Sequence, residues 1–185
     1  MTALTKPKRI EVGAFLEWAA SQDAGRYELV DGKVVAMSPE RSRHVDMKMH
    51  AWEMLRNAVR DAGLPCFVKG DGMSVTIDEH NSRQPDVSIQ CSAVDPEAMV
   101  LDEPLLVVEV VSPSSGRSDT GTKVAEYFRI PSIRHYLIID PYGKLVVRMS
   151  RKEEHGAIET SILASGVALF DPPGFSIDVD QLLNA

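Results

Sequence analysis

Apolar residues recur along this chain with two different periods, and the change of period marks its elements. From Val12 to Ala20, apolar positions at Phe15, Leu16, Trp18 and Ala19 have helical spacing, which Asp23-Ala24-Gly25 breaks. A hairpin follows. Tyr27-Glu28-Leu29-Val30 and Lys33-Val34-Val35-Ala36 flank Asp31-Gly32, a dipeptide suited to a type I′ turn because both residues tolerate positive φ. From about Arg43 to Ala62, Val45, Met49, Trp52, Leu55 and Val59 return at three- and four-residue intervals and predict a helix with that stripe buried. Gly63 and Pro65 stop it.

Beyond this helix the pattern shortens to strands at Cys66 to Val68, Met73 to Ile77, Asp86 to Ile89 and Leu105 to Val111. Ser112-Pro113-Ser114-Ser115-Gly116 reads as a turn, after which Ser118 or Asp119 caps a helix that carries Val124, Tyr127 and Phe128 on one face. Pro131 ends that helix. His135 to Asp140 and Lys144 to Met149 form a second hairpin through Pro141-Tyr142-Gly143, followed by a strand at Ile158 to Leu163 and a closing segment at Ile177 to Leu183. This order predicts an α/β or mixed α+β domain, a central mixed sheet with helices before and after its acidic strands. With 185 residues and 44% hydrophobic content, the expectation is one domain over residues 1–185.

No apolar run approaches the roughly 20 residues that span a bilayer, and the first residues lack the apolar core of a signal peptide. The expectation is a cytoplasmic protein with no membrane partner. Cys66 and Cys91 have no Cys or His neighbour at zinc-type spacing and are expected to be free, buried small hydrophobes. The net charge of −7 opposes strong non-specific DNA binding, which needs many cationic contacts to phosphate. The basic residues are scattered, with small clusters at Lys6-Lys8-Arg9, Arg41-Arg43 and Arg148-Arg151-Lys152. Such a balance does not exclude a nuclease, because metal-binding carboxylates add to the negative count and an ion reverses the field at its own site.

Glu109 interrupts the apolar run Leu105 to Val111, which otherwise reads as a strand buried on both faces. Burying a lone carboxylate costs several kcal/mol, so the fold must supply a cation, a proton or strong donors there. Pro85-Asp86-Val87 places a second carboxylate at the start of another strand, and Lys123 follows downstream. Two carboxylates on neighbouring strands repel unless a divalent ion lies between them. With a lysine nearby, the set suits phosphodiester chemistry.

These residues, taken with Tyr27-Glu28-Leu29-Val30-Asp31-Gly32, His44, Glu109-Val110-Val111-Ser112-Pro113-Ser114, Asp119 and Tyr127, resemble the Uma-type family of endonucleases, a branch of the PD-(D/E)XK nuclease superfamily. The resemblance covers roughly Tyr27 to Asp140 and implies a restriction endonuclease-like fold with its core in that range. It implies that Asp86 and Glu109 bind Mg²⁺ or Mn²⁺, with the Val110 carbonyl as a further ligand. Val111 stands where the superfamily pattern has its lysine, and Lys123 from the following helix matches the position that replaces it in this branch. Lys123 would orient the attacking water or stabilise the phosphorane, Glu28 would complete a second metal position or hold a water of the ion's shell, and His44 would contact phosphate or assist proton transfer. DNA is the implied substrate, with a homodimer addressing two strands.

Plainer roles exist for each residue. Asp86 can cap a turn at a strand start, Glu109 and Lys123 can form a structural ion pair, Glu28 can be a solvated hairpin residue, and His44 can lie on the surface at a helix start. No Gly-X-Ser-X-Gly elbow surrounds Ser112 or Ser114, so they shape the turn. The rival to a nuclease is a catalytically silent member of the fold, acting as a dimeric binding or assembly module. A third reading is a metal-dependent hydrolase of a non-nucleic substrate.

Overall fold

The computed structural model describes residues 9–111, 117–153 and 156–184, those at 117–120 by backbone alone. Ser112 and Ser114, the basic pair Lys6 and Lys8, and the side chains of Ser118 and Asp119 therefore lie outside the described residues. In chain order the elements are α1 (Val12–Ala20), β1 (Tyr27–Val30), β2 (Lys33–Ala36), α2 (Ser42–Asp61), β3 (Phe67–Gly70), β4 (Val75–Asp78), β5 (Asn81–Arg83), β6 (Val87–Gln90), β7 (Pro104–Val110) and α3 (Arg117–Tyr127). They continue with β8 (His135–Asp140), β9 (Leu145–Arg151), β10 (Ile158–Leu163), β11 (Val167–Phe170), β12 (Phe175–Asp178) and α4 (Val179–Leu183). No helix among the described residues is long and apolar enough to cross a membrane.

A six-stranded mixed sheet, in the order β10-β9-β8-β7-β6-β3, forms the centre. Its one parallel pair is β7–β8, because α3 carries the chain across the sheet between them. A four-stranded sheet, β2-β1-β5-β4, and the hairpin β11-β12 complete the architecture. At the β1–β2 turn, Asp31 and Gly32 both have positive φ, 50° and 70°, the geometry their sequence foretells.

Strand β7 is covered on both faces, as its apolar run requires. Leu106, Val108 and Val110 pack with Met47, Ala51, Leu55 and Val59 of α2 and with Phe170, Phe175, Ile177 and Leu182 near the C-terminus. Val107 points the other way, into a cluster with Val75, Ile77, Tyr127, Phe128, Ile133, Tyr136 and Ile138. Period-two alternation thus puts Glu109 on the α3 face, two residues beyond Val107. The end of α3 is secured by Arg151, whose guanidinium donates to the carbonyls of Phe128 and Ile133 at 2.9 Å and to that of Ile130.

Three sequence expectations are corrected here. The buried stripe of α2 is Met47, Lys48, Ala51, Leu55 and Val59, while Val45 and Met49 are 41% and 57% exposed. Stepping back from Leu55 in fours gives Ala51 and Met47, and the sheet lies beneath that line and beneath Trp52, whose indole donates to the Val68 carbonyl at 3.3 Å, rather than beneath Met49 and Val45. Cys66 and Cys91 are not free thiols but a disulfide, each half-buried, closed across 25 residues. The antiparallel register Phe67↔Gln90 puts the two next residues opposite each other, a pairing that local spacing does not show. For Glu28 the correction falls on the plainer of its two readings, a solvated hairpin residue: it is buried, at 8% exposure.

Candidate metal centre

The C-terminal end of β7 brings the predicted residues together. The residue before β6, Asp86, donates its own N–H to the Val108 carbonyl at 3.0 Å, and its Oδ2 accepts the Val110 N–H at 2.7 Å. Its carboxylate is therefore pinned against the peptide that follows Glu109. At 6% exposure it meets the α2 side of the sheet, where Lys48 Nζ lies 3.5 Å from Oδ1 and His44 Nε2 lies 3.9 Å from Oδ2.

Glu109 meets α3 instead. Lys123 and Tyr127 are four residues apart on that helix and so share a face. Lys123 Nζ lies 2.9 Å from Glu109 Oε2, and the Tyr127 hydroxyl donates to Oε1 at 2.7 Å. The Glu109 side chain is 12% exposed and that of Lys123 14%. Lys123, the lysine that the resemblance offers in place of Val111, reaches the acidic strand from α3.

Proton affinities show what this arrangement lacks. Burial pushes Glu109 up to about 7, opposed by Lys123 and reinforced by the Asp86 charge, with the Tyr127 hydrogen bond pulling down. Burial likewise raises Asp86, against the Val110 N–H and the two lysines, Lys48 and Lys123. In both acids burial outweighs the neighbouring lysine, so additional positive charge beside either would favour its ionised form. Among the described residues, the group whose donor atoms lie within 4.8 Å of one another is Glu40, His44 and Asp86, a set whose chemistry suits a divalent ion. His44 moves the other way: burial lowers it, so at neutral pH it is an uncharged imidazole beside Asp86.

Glu28 enters a neighbouring network. Its Oε2 accepts from Arg83 at 2.9 Å and its Oε1 from the Gln84 N–H at 3.2 Å. The same Arg83 guanidinium bonds both oxygens of Glu126 on α3, at 2.8 and 3.0 Å. Arg83 so ties β1, β5 and α3 together just ahead of Pro85-Asp86.

On the α2 side of Asp86, sequence reasoning offered His44 and missed the charges around it. Lys48 is 5% exposed and paired with Glu40 and Asp71, to which Arg26 is also bonded. Burial works against its charge, yet those carboxylates hold Lys48 above the ordinary lysine value. A cavity of about 390 Å³ beside it is lined by Trp52, Met49, Glu40, Asp71 and Asp86 among others. The available signal was Lys48 itself, a lysine on the line Met47-Ala51-Leu55.

A mixed sheet with one carboxylate near the end of its central strand, a second just before the neighbouring strand and a lysine delivered by the crossover helix is the architecture of a restriction endonuclease-like fold. The solved structure of "a putative nuclease belonging to DUF820" from Anabaena variabilis has this fold, with a TM-score of 0.72 at 15% identity over 95% of this chain and 98% of that one. The chain belongs to the Uma2 family, described as "Putative restriction endonuclease", whose pattern matches residues 12–182. It is also 29% identical over 127 residues to "Uncharacterized protein slr1290" of Synechocystis; the match covers 68% of this chain and 65% of that protein's length.

Proposed function

We propose that the chain is a Mg²⁺- or Mn²⁺-dependent endonuclease hydrolysing phosphodiester bonds of DNA, with its active centre at the end of β7. The observation that carries this reading is the convergence of Asp86 and Glu109, both with raised proton affinity, on one strand end beside Lys123. Asp86, Glu109 and the Val110 carbonyl would hold the ion, which when bound offsets negative charge on the scissile phosphate and acidifies water.

The remaining work falls to residues of this chain. The Val110 N–H fixes the orientation of Asp86, and the Tyr127 hydroxyl fixes that of Glu109. Lys123, paired with Glu109, would orient the attacking water and offset charge building on the phosphorane oxygens. His44, whose proton affinity burial lowers, would take a proton or donate to a phosphate oxygen. Glu28 acts at one remove, holding Arg83 and the Gln84 peptide that lead into Asp86. A homodimer would present two such centres to the two strands of a duplex.

The rival, a silent binding or assembly module, draws on the completeness of the ion pairs Glu109–Lys123 and Arg83–Glu28–Glu126. Nicking of supercoiled plasmid separates the two. The nuclease reading expects Mg²⁺- or Mn²⁺-dependent nicking, abolished by EDTA and reduced at least about 10³-fold in Asp86→Asn and in Glu109→Gln that retain wild-type circular dichroism. Cleavage indifferent to both substitutions, or absent with every divalent ion, refutes it.

A further inference from the structure

The face of α2 that packs on the sheet is apolar at Met47, Ala51, Leu55 and Val59, yet Lys48 lies on it at 5% exposure. A buried ammonium needs close partners, and Lys48 has them from three separate parts of the chain. Its Nζ is 2.6 Å from Glu40 Oε2, 2.5 Å from Asp71 Oδ2 and 3.5 Å from Asp86 Oδ1. Glu40 precedes α2, Asp71 lies in the turn between β3 and β4, and Asp86 precedes β6. On the outer side Arg26 pairs with Glu40 at 2.7 Å and also with Asp71.

The same place has the ligands of a divalent ion. Glu40, His44 and Asp86 each offer a donor atom, and these atoms all lie within 4.8 Å of one another. Two carboxylates and an uncharged imidazole would serve a transition metal or Mg²⁺ well. One of them, Asp86, is the carboxylate that the nuclease reading gives to the ion at Glu109. An ion here would therefore share Asp86 with the first and make a two-metal centre. The ammonium of Lys48, bonded to Glu40 and facing Asp86, already supplies positive charge between those carboxylates. Lys48 lies against two of these three donors, Glu40 and Asp86, whereas Lys123 pairs with one acid of the first ion's set, Glu109, so a divalent ion in the Glu40–His44–Asp86 group would meet the ammonium charge at close range.

We infer that Lys48 is a resident cation standing in for a second metal ion, so that the centre at Asp86 and Glu109 works with one ion only. The inference rests on the nuclease reading for the first ion. It makes Lys48 a positioning residue: it satisfies Asp86 Oδ1 on the α2 side while the Val110 N–H holds Oδ2, which leaves the α3-side approach to the first ion. The charge supplied by an ion in a two-metal centre is here covalently attached to α2, and its place does not depend on the metal concentration.

The test is the number of ions bound by the full-length protein, read by Mn²⁺ titration calorimetry and by electron paramagnetic resonance. The wild type is expected to bind one Mn²⁺ and to show the spectrum of an isolated ion. Lys48→Met is expected to bind two, with the exchange-coupled spectrum of a pair bridged by Asp86. Adding Glu40→Gln to Lys48→Met should return the count to one, and Lys48→Arg should never exceed one. Two ions in the wild type, or one in a folded Lys48→Met, overturn the inference. If Lys48→Met does not fold, wild type and Lys48→Arg still decide the matter by their ion count. The two readings fail differently: a wild type that binds no ion and does not nick DNA refutes the nuclease and this inference with it, whereas a wild type that nicks DNA with two coupled ions refutes this inference alone.

Discussion

The two carboxylates at the end of β7 are served from opposite faces of the same sheet, and the two faces are built differently. Glu109 looks to α3, where Lys123 and Tyr127, one turn apart, take one oxygen each. Asp86 looks to α2, where Lys48 is shared with Glu40 and Asp71 and His44 stands at 3.9 Å. Each acid thus has its own lysine from its own helix. On the α3 side the lysine is bonded directly to the acid, at 2.9 Å. On the α2 side it is 3.5 Å from the acid and held more closely by two other carboxylates, so its charge acts on the whole cluster. The α3 lysine thus serves one acid, and the α2 lysine belongs to a frame of several charges.

The α3 side depends on that helix being held in place, which gives the largest expected effect. Arg83 is 4% exposed and bonds Glu28 and Glu126 together. Arg83→Met leaves two buried carboxylates without their cation and is expected to lower stability by about 3–5 kcal/mol, read by urea unfolding. A loss below about 1 kcal/mol would mean that α3 is anchored without it. Next comes the lysine contrast itself. Lys123→Met should reduce plasmid nicking about 10²-fold, roughly 2.7 kcal/mol of barrier, while Mn²⁺ still binds. Equal nicking in Lys123→Met and wild type would erase the functional distinction between the two faces.

A smaller effect comes from the far end of the sheet. His135 is 1% exposed, its Nε2–H donating to the Pro172 carbonyl at 2.6 Å while its Nδ1 accepts from the Ser150 hydroxyl at 2.8 Å. Burial lowers it to about 4 from an ordinary 6.5, with Arg148 and Arg134 acting in the same direction and the Pro172 carbonyl against. Between those values the unfolded chain binds the proton and the folded one does not. This part of the stability is therefore complete above about pH 6.5 and lost as pH falls towards 4, amounting to about 2–3 kcal/mol. Urea midpoints measured from pH 7.5 down to 4 should fall less steeply in His135→Gln. Parallel slopes would count against it.

How much of this could be read from the chain follows from where each signal lies. Glu109 was legible because a single charge in an apolar β run has few explanations, and Pro85-Asp86 because it opens a second strand. Lys123 was legible only through the family resemblance, since nothing in local spacing says which lysine of a crossover helix reaches back to the sheet. Lys48, Glu40, Asp71 and Arg26 come from α2, two turns and the approach to β1, and only the tertiary fold joins them. The α2 stripe held at Trp52, Leu55 and Val59 and failed at its N-terminal end, because Val45 and Met49 fit helical spacing as well as Met47 and Ala51 do. Periodicity names a face, but the sheet beneath decides which face is used. The Cys66–Cys91 disulfide was hidden for a related reason: it follows from the register of β3 against β6, which a strand pattern alone leaves open. The short strand β5 and the hairpin β11-β12 lacked a long enough alternation to announce themselves.

The most direct measurement is calorimetric titration of Mn²⁺ into the wild type and into Glu109→Gln between pH 6 and 8. With Glu109 holding its proton up to about 7, wild-type affinity should rise close to tenfold per pH unit below 7 and level off above it. In Glu109→Gln that rise should vanish, and binding should weaken about 100-fold or more. Binding in the wild type that is indifferent to pH and unchanged by the substitution would contradict a metal centre at the end of β7.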